Sequence, residues 1–164
     1  MKQSMRRAIF LFLLFGIGAK AQDDNQVSIT LPTASGTITA KADRVSGDFK
    51  TKGAILEGHV VVRDGANTLG APLIRLHFAN DKVDRAIAER HMTIATPNGV
   101  AIADNGTYEV APQIVILSGH VVLTKDGNVL RGEKLRYDIP EGLATMEAGP
   151  GSRVKALFAT KQKD

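Results

Sequence analysis

Two stretches of this chain are nearly identical, and that repetition constrains the fold more than any other feature. Gly58-His59-Val60-Val61-Val62 and Gly119-His120-Val121-Val122-Leu123 lie 61 residues apart, each preceded by an apolar pair, Ile55-Leu56 and Ile116-Leu117. Ala40, Ala42 and Asp43 recur at the same offset as Ala101, Ala103 and Asp104. An Asp-Gly turn follows each copy, Asp64-Gly65 and Asp126-Gly127, with one residue inserted in the second. Self-similarity at a fixed offset marks one supersecondary unit used twice.

Both copies read as strands with the same inside and outside. On a pleated strand Leu56, Val60 and Val62 share one face, as do Leu117, Val121 and Leu123. His59, Val61 and Arg63, like His120, Val122 and Thr124, fall on the other, wetter face. Around them the period of two recurs in short runs. Val27, Ile29 and Leu31 alternate with polar residues until Pro32; Ile74, Leu76 and Phe78 oppose Arg75 and His77; Leu135 and Tyr137 oppose Lys134 and Arg136. Further strands are predicted over 37–42, 83–88, 91–96, 100–103, 108–110, 143–147 and near 154–158, separated by turns such as Asn80-Asp81-Lys82, Pro97-Asn98-Gly99 and Ile139-Pro140-Glu141-Gly142. Asp43 to Gly47 reads as a polar connection. Asp81 to Ile94 has some helical periodicity but no good cap, and its neighbours are all turn-punctuated, so it too is assigned to strand. About a dozen short strands with frequent turns indicate an all-β sandwich, roll or barrel.

The first 21 residues are excluded from this reading. Lys2, Arg6 and Arg7, then the apolar run from Ala8 to Gly18, then Ala19-Lys20-Ala21 form the three parts of a secretory signal peptide, predicted to be cleaved before Gln22. The alternative, an uncleaved anchor, suffers from an apolar run of only about a dozen residues where a span needs roughly 20. The leader carries four of the 21 Lys and Arg and none of the 17 Asp and Glu, so residues 22–164 hold 17 of each. The basic pI therefore belongs largely to the leader and gives no support for nucleic-acid binding. The chain has no cysteine, so an exported domain must hold together by burial and strand pairing alone. One domain is expected over 22–159, followed by a polar tail at 160–164.

Ala42-Asp43, Leu56-Glu57-Gly58-His59-Val60, Ala103-Asp104, Tyr108, Leu117-Ser118-Gly119-His120-Val121 and Leu130-Arg131-Gly132-Glu133-Lys134-Leu135-Arg136-Tyr137-Asp138, in this order and spacing, resemble the LptA/OstA-like family of lipopolysaccharide-transport proteins. The resemblance covers about Val27 to Glu147. It departs from the family pattern at His59 and His120, where Asn is frequent, and at Ile74-Arg75-Leu76-His77-Phe78, where a Tyr-Asp end is usual.

The resemblance implies an open, V-shaped β-jellyroll of two antiparallel sheets whose apolar trough holds the lipid A acyl chains of lipopolysaccharide. On that reading the trough residues are Leu56, Val60, Val62, Ile74, Leu76, Leu117, Val121, Leu123, Leu135 and Tyr137. It further implies a periplasmic bridge between an inner-membrane LptC-like component and an outer-membrane LptD-like translocon, with head-to-tail self-association through edge strands. The expected joining residues are Val27, Ile29 and Leu31 at one end and Val154, Ala156 and Phe158 at the other. An LptC-like anchored component, a structural envelope module with a dry core, and a hydrolase with an unrecognised site are the competing readings. The first two need the same apolar residues.

Catalytic, metal and cofactor roles are not expected. His59 and His120 lie on the wet face, with no His or carboxylate partner at ligand spacing in the sequence, and are read as solvent-facing strand residues. Asp43 and Asp104 are read as turn residues. No Cys, Gly-x-Ser-x-Gly, phosphate loop or close carboxylate pair in an apolar setting is present. Aromatic residues are scarce, at 5%, and slim aliphatic side chains leave room for acyl chains.

Overall fold

The computed structural model describes residues 26–48 and 52–158; the signal-peptide segment and the polar tail lie outside the described residues. Thirteen strands follow one another with no helix among the described residues: β1 (Val27–Pro32), β2 (Thr37–Ala42), β3 (Arg44–Asp48), β4 (Gly53–Asp64), β5 (Asn67–Ala79), β6 (Lys82–Glu89), β7 (Met92–Thr96), β8 (Gly99–Ala103), β9 (Asn105–Glu109), β10 (Ile114–Lys125), β11 (Asn128–Asp138), β12 (Leu143–Glu147) and β13 (Lys155–Leu157). All the ladders between them are antiparallel.

Four long strands, β4, β5, β10 and β11, make two layers out of one chain. The second half of β4 pairs with β2 and its first half with β3. The first half of β5 pairs with β7 and its second half with β6. β10 likewise divides between β8 and β9, and β11 between β13 and β12. One layer is thus β1-β2-β4-β5-β7-β8-β10-β11-β13 and the other β3-β4-β5-β6-β9-β10-β11-β12, with the long strands running through both. This is the two-layered antiparallel jellyroll that the resemblance implies, within the all-β classes that the strand pattern indicates.

Alternation places the interior where the sequence puts it. Leu56, Val60, Val62, Ile74, Leu76, Leu117, Val121, Leu123, Leu135 and Tyr137 all fall in a single buried cluster, joined by Ile38, Ala86, Met92 and Val115. Two regions differ from the sequence reading. Residues 44–48 form an edge strand where a polar connection is expected; pairing with β4 supplies the order that the side chains of Arg44, Ser46 and Gly47 do not encode. β5 begins at Asn67, well before the alternating run that starts at Ile74, and carries Gly70 and Pro72 within it. Gly and Pro ordinarily argue against a strand interior. Here they sit where β5 changes partner from β7 to β6.

Candidate lipid-holding interior and its corners

The strands change layer at two equivalent corners, and the doubled motif builds both. Between Glu57 and Val60, and again between Ser118 and Val121, the register slips by one residue, so Gly58-His59 and Gly119-His120 are bulges. Both residues of each pair are left-handed, with φ of 76° and 44° in the first and 80° and 47° in the second. Glycine takes this conformation freely, and histidine is among the side chains enriched in it. The adjoining strand crosses at the same level: Asp43 sits between β2 and β3, and Asp104 between β8 and β9. Their backbone N–H groups donate to Gly58 O at 3.0 Å and Gly119 O at 2.9 Å. Their carboxylates meet the imidazoles, His59 Nδ1 to Asp43 Oδ2 at 2.8 Å and His120 Nδ1 to Asp104 Oδ2 at 2.7 Å.

This corrects the expectation that the histidines lack a carboxylate partner. The rings are exposed, as expected, but each is tied to an aspartate 16 residues earlier. A period-two strand pattern gives no such signal, because the pair forms across a corner. What could have indicated it is the co-occurrence of Asp and Gly-His at one repeat offset. Among the described residues no group of three or more His, Asp or Glu side chains could hold a metal ion.

The Asp104 carboxylate, through its hydrogen bond and then its charge, raises the His120 pKa above the ordinary histidine range. The sign of the linkage follows. The pair stabilises the fold fully below the unfolded-state pKa, and that contribution is lost as pH rises through the raised value. His120→Gln is therefore expected to be less stable than wild type in mildly acidic buffer, with the gap closing as pH rises past the folded pKa. Chemical denaturation across this range, with an NMR titration of the ring, measures it; a pH-independent gap would contradict the assignment.

A second tie spans the layers. The Tyr108 hydroxyl, from β9, donates to Asp64 Oδ2 at 2.7 Å, at the end of β4 in the opposite layer. Burial above all, and then the neighbouring Asp64, raise the phenol pKa, so the group stays neutral and remains a donor. Asn67, itself buried, lies beside the same hydroxyl.

The ten residues expected to line a trough are brought together in one buried cluster. Their exposures run from 0% for Leu56, Ile74, Leu117 and Leu135 to 7% for Leu123. The two ends of the interior differ. At the N-terminal end β1 pairs with β2 in one layer, and Thr33 bridges to Val83 of β6 in the other, which closes that end. At the C-terminal end β12 and β13 both pair with β11 and with no other described strand, so the last strands of the two layers are not joined. Leu143 of β12, Leu157 of β13 and Phe158 just after it are 63%, 69% and 69% exposed, while Leu130 and Met146 are partly buried against the core.

Of the joining residues, Ile29 and Leu31 pack against the core while Val27 is exposed. Val154 and Phe158 flank β13, and Ala156 within it pairs with Leu130. The outer edge of β13 has no strand partner among the described residues.

The family model for the LptA/(LptD N-terminal domain) LPS transport protein matches residues 21–143, more than half of the chain. The chain belongs to this family. Its fold is similar to the crystal structure of LptH, the LptA-homologous periplasmic component of the lipopolysaccharide transport device of Pseudomonas aeruginosa. The TM-score is 0.66 at 21% identity, over 75% of this chain and 95% of that one. Comparison with curated proteins found no match.

Proposed function

We propose that this family member is a periplasmic, non-enzymatic carrier that holds lipopolysaccharide by its acyl chains and passes it from an inner-membrane LptC-like component to an outer-membrane LptD-like translocon. The observation that carries the proposal is the asymmetry of the interior: an aliphatic cluster between two layers, closed at the β1 end by the Thr33–Val83 bridge and bounded at the other by β12 and β13, which do not pair with each other. Acyl chains would enter at that end and part the layers, replacing side-chain contacts in the cluster with contacts to lipid. Burial is worth roughly 0.8 kcal/mol per CH₂, so a few chains supply ample driving force. Movement along such a floor needs no covalent chemistry.

Edge strands with unpaired N–H and C=O groups recruit another chain. In the proposed bridge, β13 of one copy adds to β1 of the next by strand addition. Proline at Lys155 or Ala156 removes a ladder donor without touching the interior. Self-association is expected to fall. Oligomerisation unchanged across protein concentrations would count against β13 as the joint.

The near-complete burial of the aliphatic cluster favours a second reading, a structural envelope module with a dry core. The two readings differ in whether lipid is bound.

A further inference from the structure

The two corners share a histidine–aspartate pair but not their surroundings. Gly132 stands opposite Val121 as Ala71 stands opposite Val60, so Arg131 and Glu133 occupy the places held in the first copy by Gly70 and Pro72. Beyond Gly70 the sheet continues to Thr93 of β7, whereas beyond Arg131 it ends at Lys155 of β13. The connection from β12 to β13 brings Ser152 and Arg153 to the same place. The result is an outward-facing cleft of about 280 Å³ lined by His120, Arg131, Glu133, Ser152, Arg153 and Lys155.

We propose that this cleft binds a phosphate group, as a monoester or pyrophosphate, of an anionic amphiphile. Three cations from β11, β13 and the connection converge on it, against one acid, Glu133. Among the described residues none of Arg131, Arg153 and Lys155 forms an ion pair; the pairs present are Arg44–Glu57, Arg75–Glu89 and three involving histidine. Converging cations repel one another until an anion joins them, and guanidinium groups match phosphate oxygens in a bidentate way. Ser152 donates its hydroxyl to Gly149 O at 2.9 Å, so the ligand's donors are the three cations and His120. With Nδ1 of His120 committed to Asp104, Nε2 is the nitrogen left for a ligand.

The site also has an apolar side. Val129 pairs with Leu157 one step along the outer face from the Arg131–Lys155 pair, and these four residues with Ala156 line an adjoining cleft of about 160 Å³. A phosphate and the start of a hydrocarbon chain thus have neighbouring places. His120, Arg131 and Glu133 lie within the family-matched residues, and Arg153 and Lys155 lie C-terminal to them.

The identity of the amphiphile as the phosphorylated head group of lipopolysaccharide rests on the carrier reading; the phosphate cleft does not. The test compares wild type with the triple variant Arg131→Gln, Arg153→Gln, Lys155→Gln, whose positions are all exposed, so that folding is kept. Each is titrated with diphosphorylated lipid A, with dephosphorylated lipid A and with inorganic pyrophosphate, and binding is followed by calorimetry and by NMR shifts at Arg131 and Ser152. Wild type is expected to prefer the phosphorylated lipid by at least about tenfold, and the triple variant to lose that preference while still binding the dephosphorylated lipid. Pyrophosphate shifts at the cleft, with neither lipid bound, would support the cleft for free phosphate and count against the carrier reading. Equal lipid affinities in wild type and variant, with no pyrophosphate shift at Arg131 or Ser152, would overturn the cleft and leave the carrier reading standing.

Discussion

Gly119→Ala is expected to destabilise the protein by about 2–4 kcal/mol, several times the cost of Gly65→Ala. Both glycines are left-handed, with φ of 80° and 56°, so both substitutions carry the roughly 1 kcal/mol or more that an L side chain adds in that region. Their surroundings differ. A Cβ at Gly65 meets nothing within 4 Å, whereas one at Gly119 comes within 2.5 Å of Asp104 Oδ2 and 2.9 Å of its Cβ. Asp104 cannot withdraw cheaply, because its N–H is bonded to Gly119 O and its carboxylate to His120. The added methyl therefore breaks the corner that lets β10 pass from one layer to the other. The same holds at Gly58, whose Cβ would collide with Asp43. Urea unfolding of Gly119→Ala, Gly58→Ala and Gly65→Ala measures this; equal costs at all three would mean that backbone conformation alone matters and the aspartate ties do not.

Tyr108→Phe is expected to move stability and lipid affinity in opposite directions. Losing a hydrogen bond to a carboxylate costs about 1.5–3 kcal/mol, and here the bond joins the two layers across the interior. If acyl chains enter by parting the layers, the closed form competes with lipid, and apparent affinity is reduced by the fraction of protein in the open form. Weakening the tie by about 1.4 kcal/mol then tightens lipid binding by up to tenfold. A lower unfolding midpoint together with a lower Kd for fluorescent lipopolysaccharide is the predicted signature. Lower stability with unchanged or weaker binding would show that lipid does not enter between the layers.

Much of the architecture was legible because alternation is a local signal. The ten residues expected to line a trough share an interior in the fold because a strand with a period of two has no other way to bury them. Residues 44–48 and 67–72 were not legible: β3 takes its order from β4, and β5 tolerates Gly70 and Pro72 at the place where it changes partner. The corners were half legible. The repeat marked Asp43, Gly58-His59, Asp104 and Gly119-His120 as equivalent, but a contact across a layer change has no periodicity to betray it. The phosphate cleft was not legible at all, since it joins Arg131 to Arg153 and Lys155 through a strand pairing that only the fold defines.

The carrier proposal stands or falls on whether the interior takes up lipid. Protein purified without denaturation from its own envelope, extracted with organic solvent and analysed by mass spectrometry, should release lipid A in near-stoichiometric amount, with none from a denatured control. A folded protein that releases no lipid A, or only phospholipids in the proportions of the surrounding membrane, would contradict the carrier and leave the interior as a core that binds nothing.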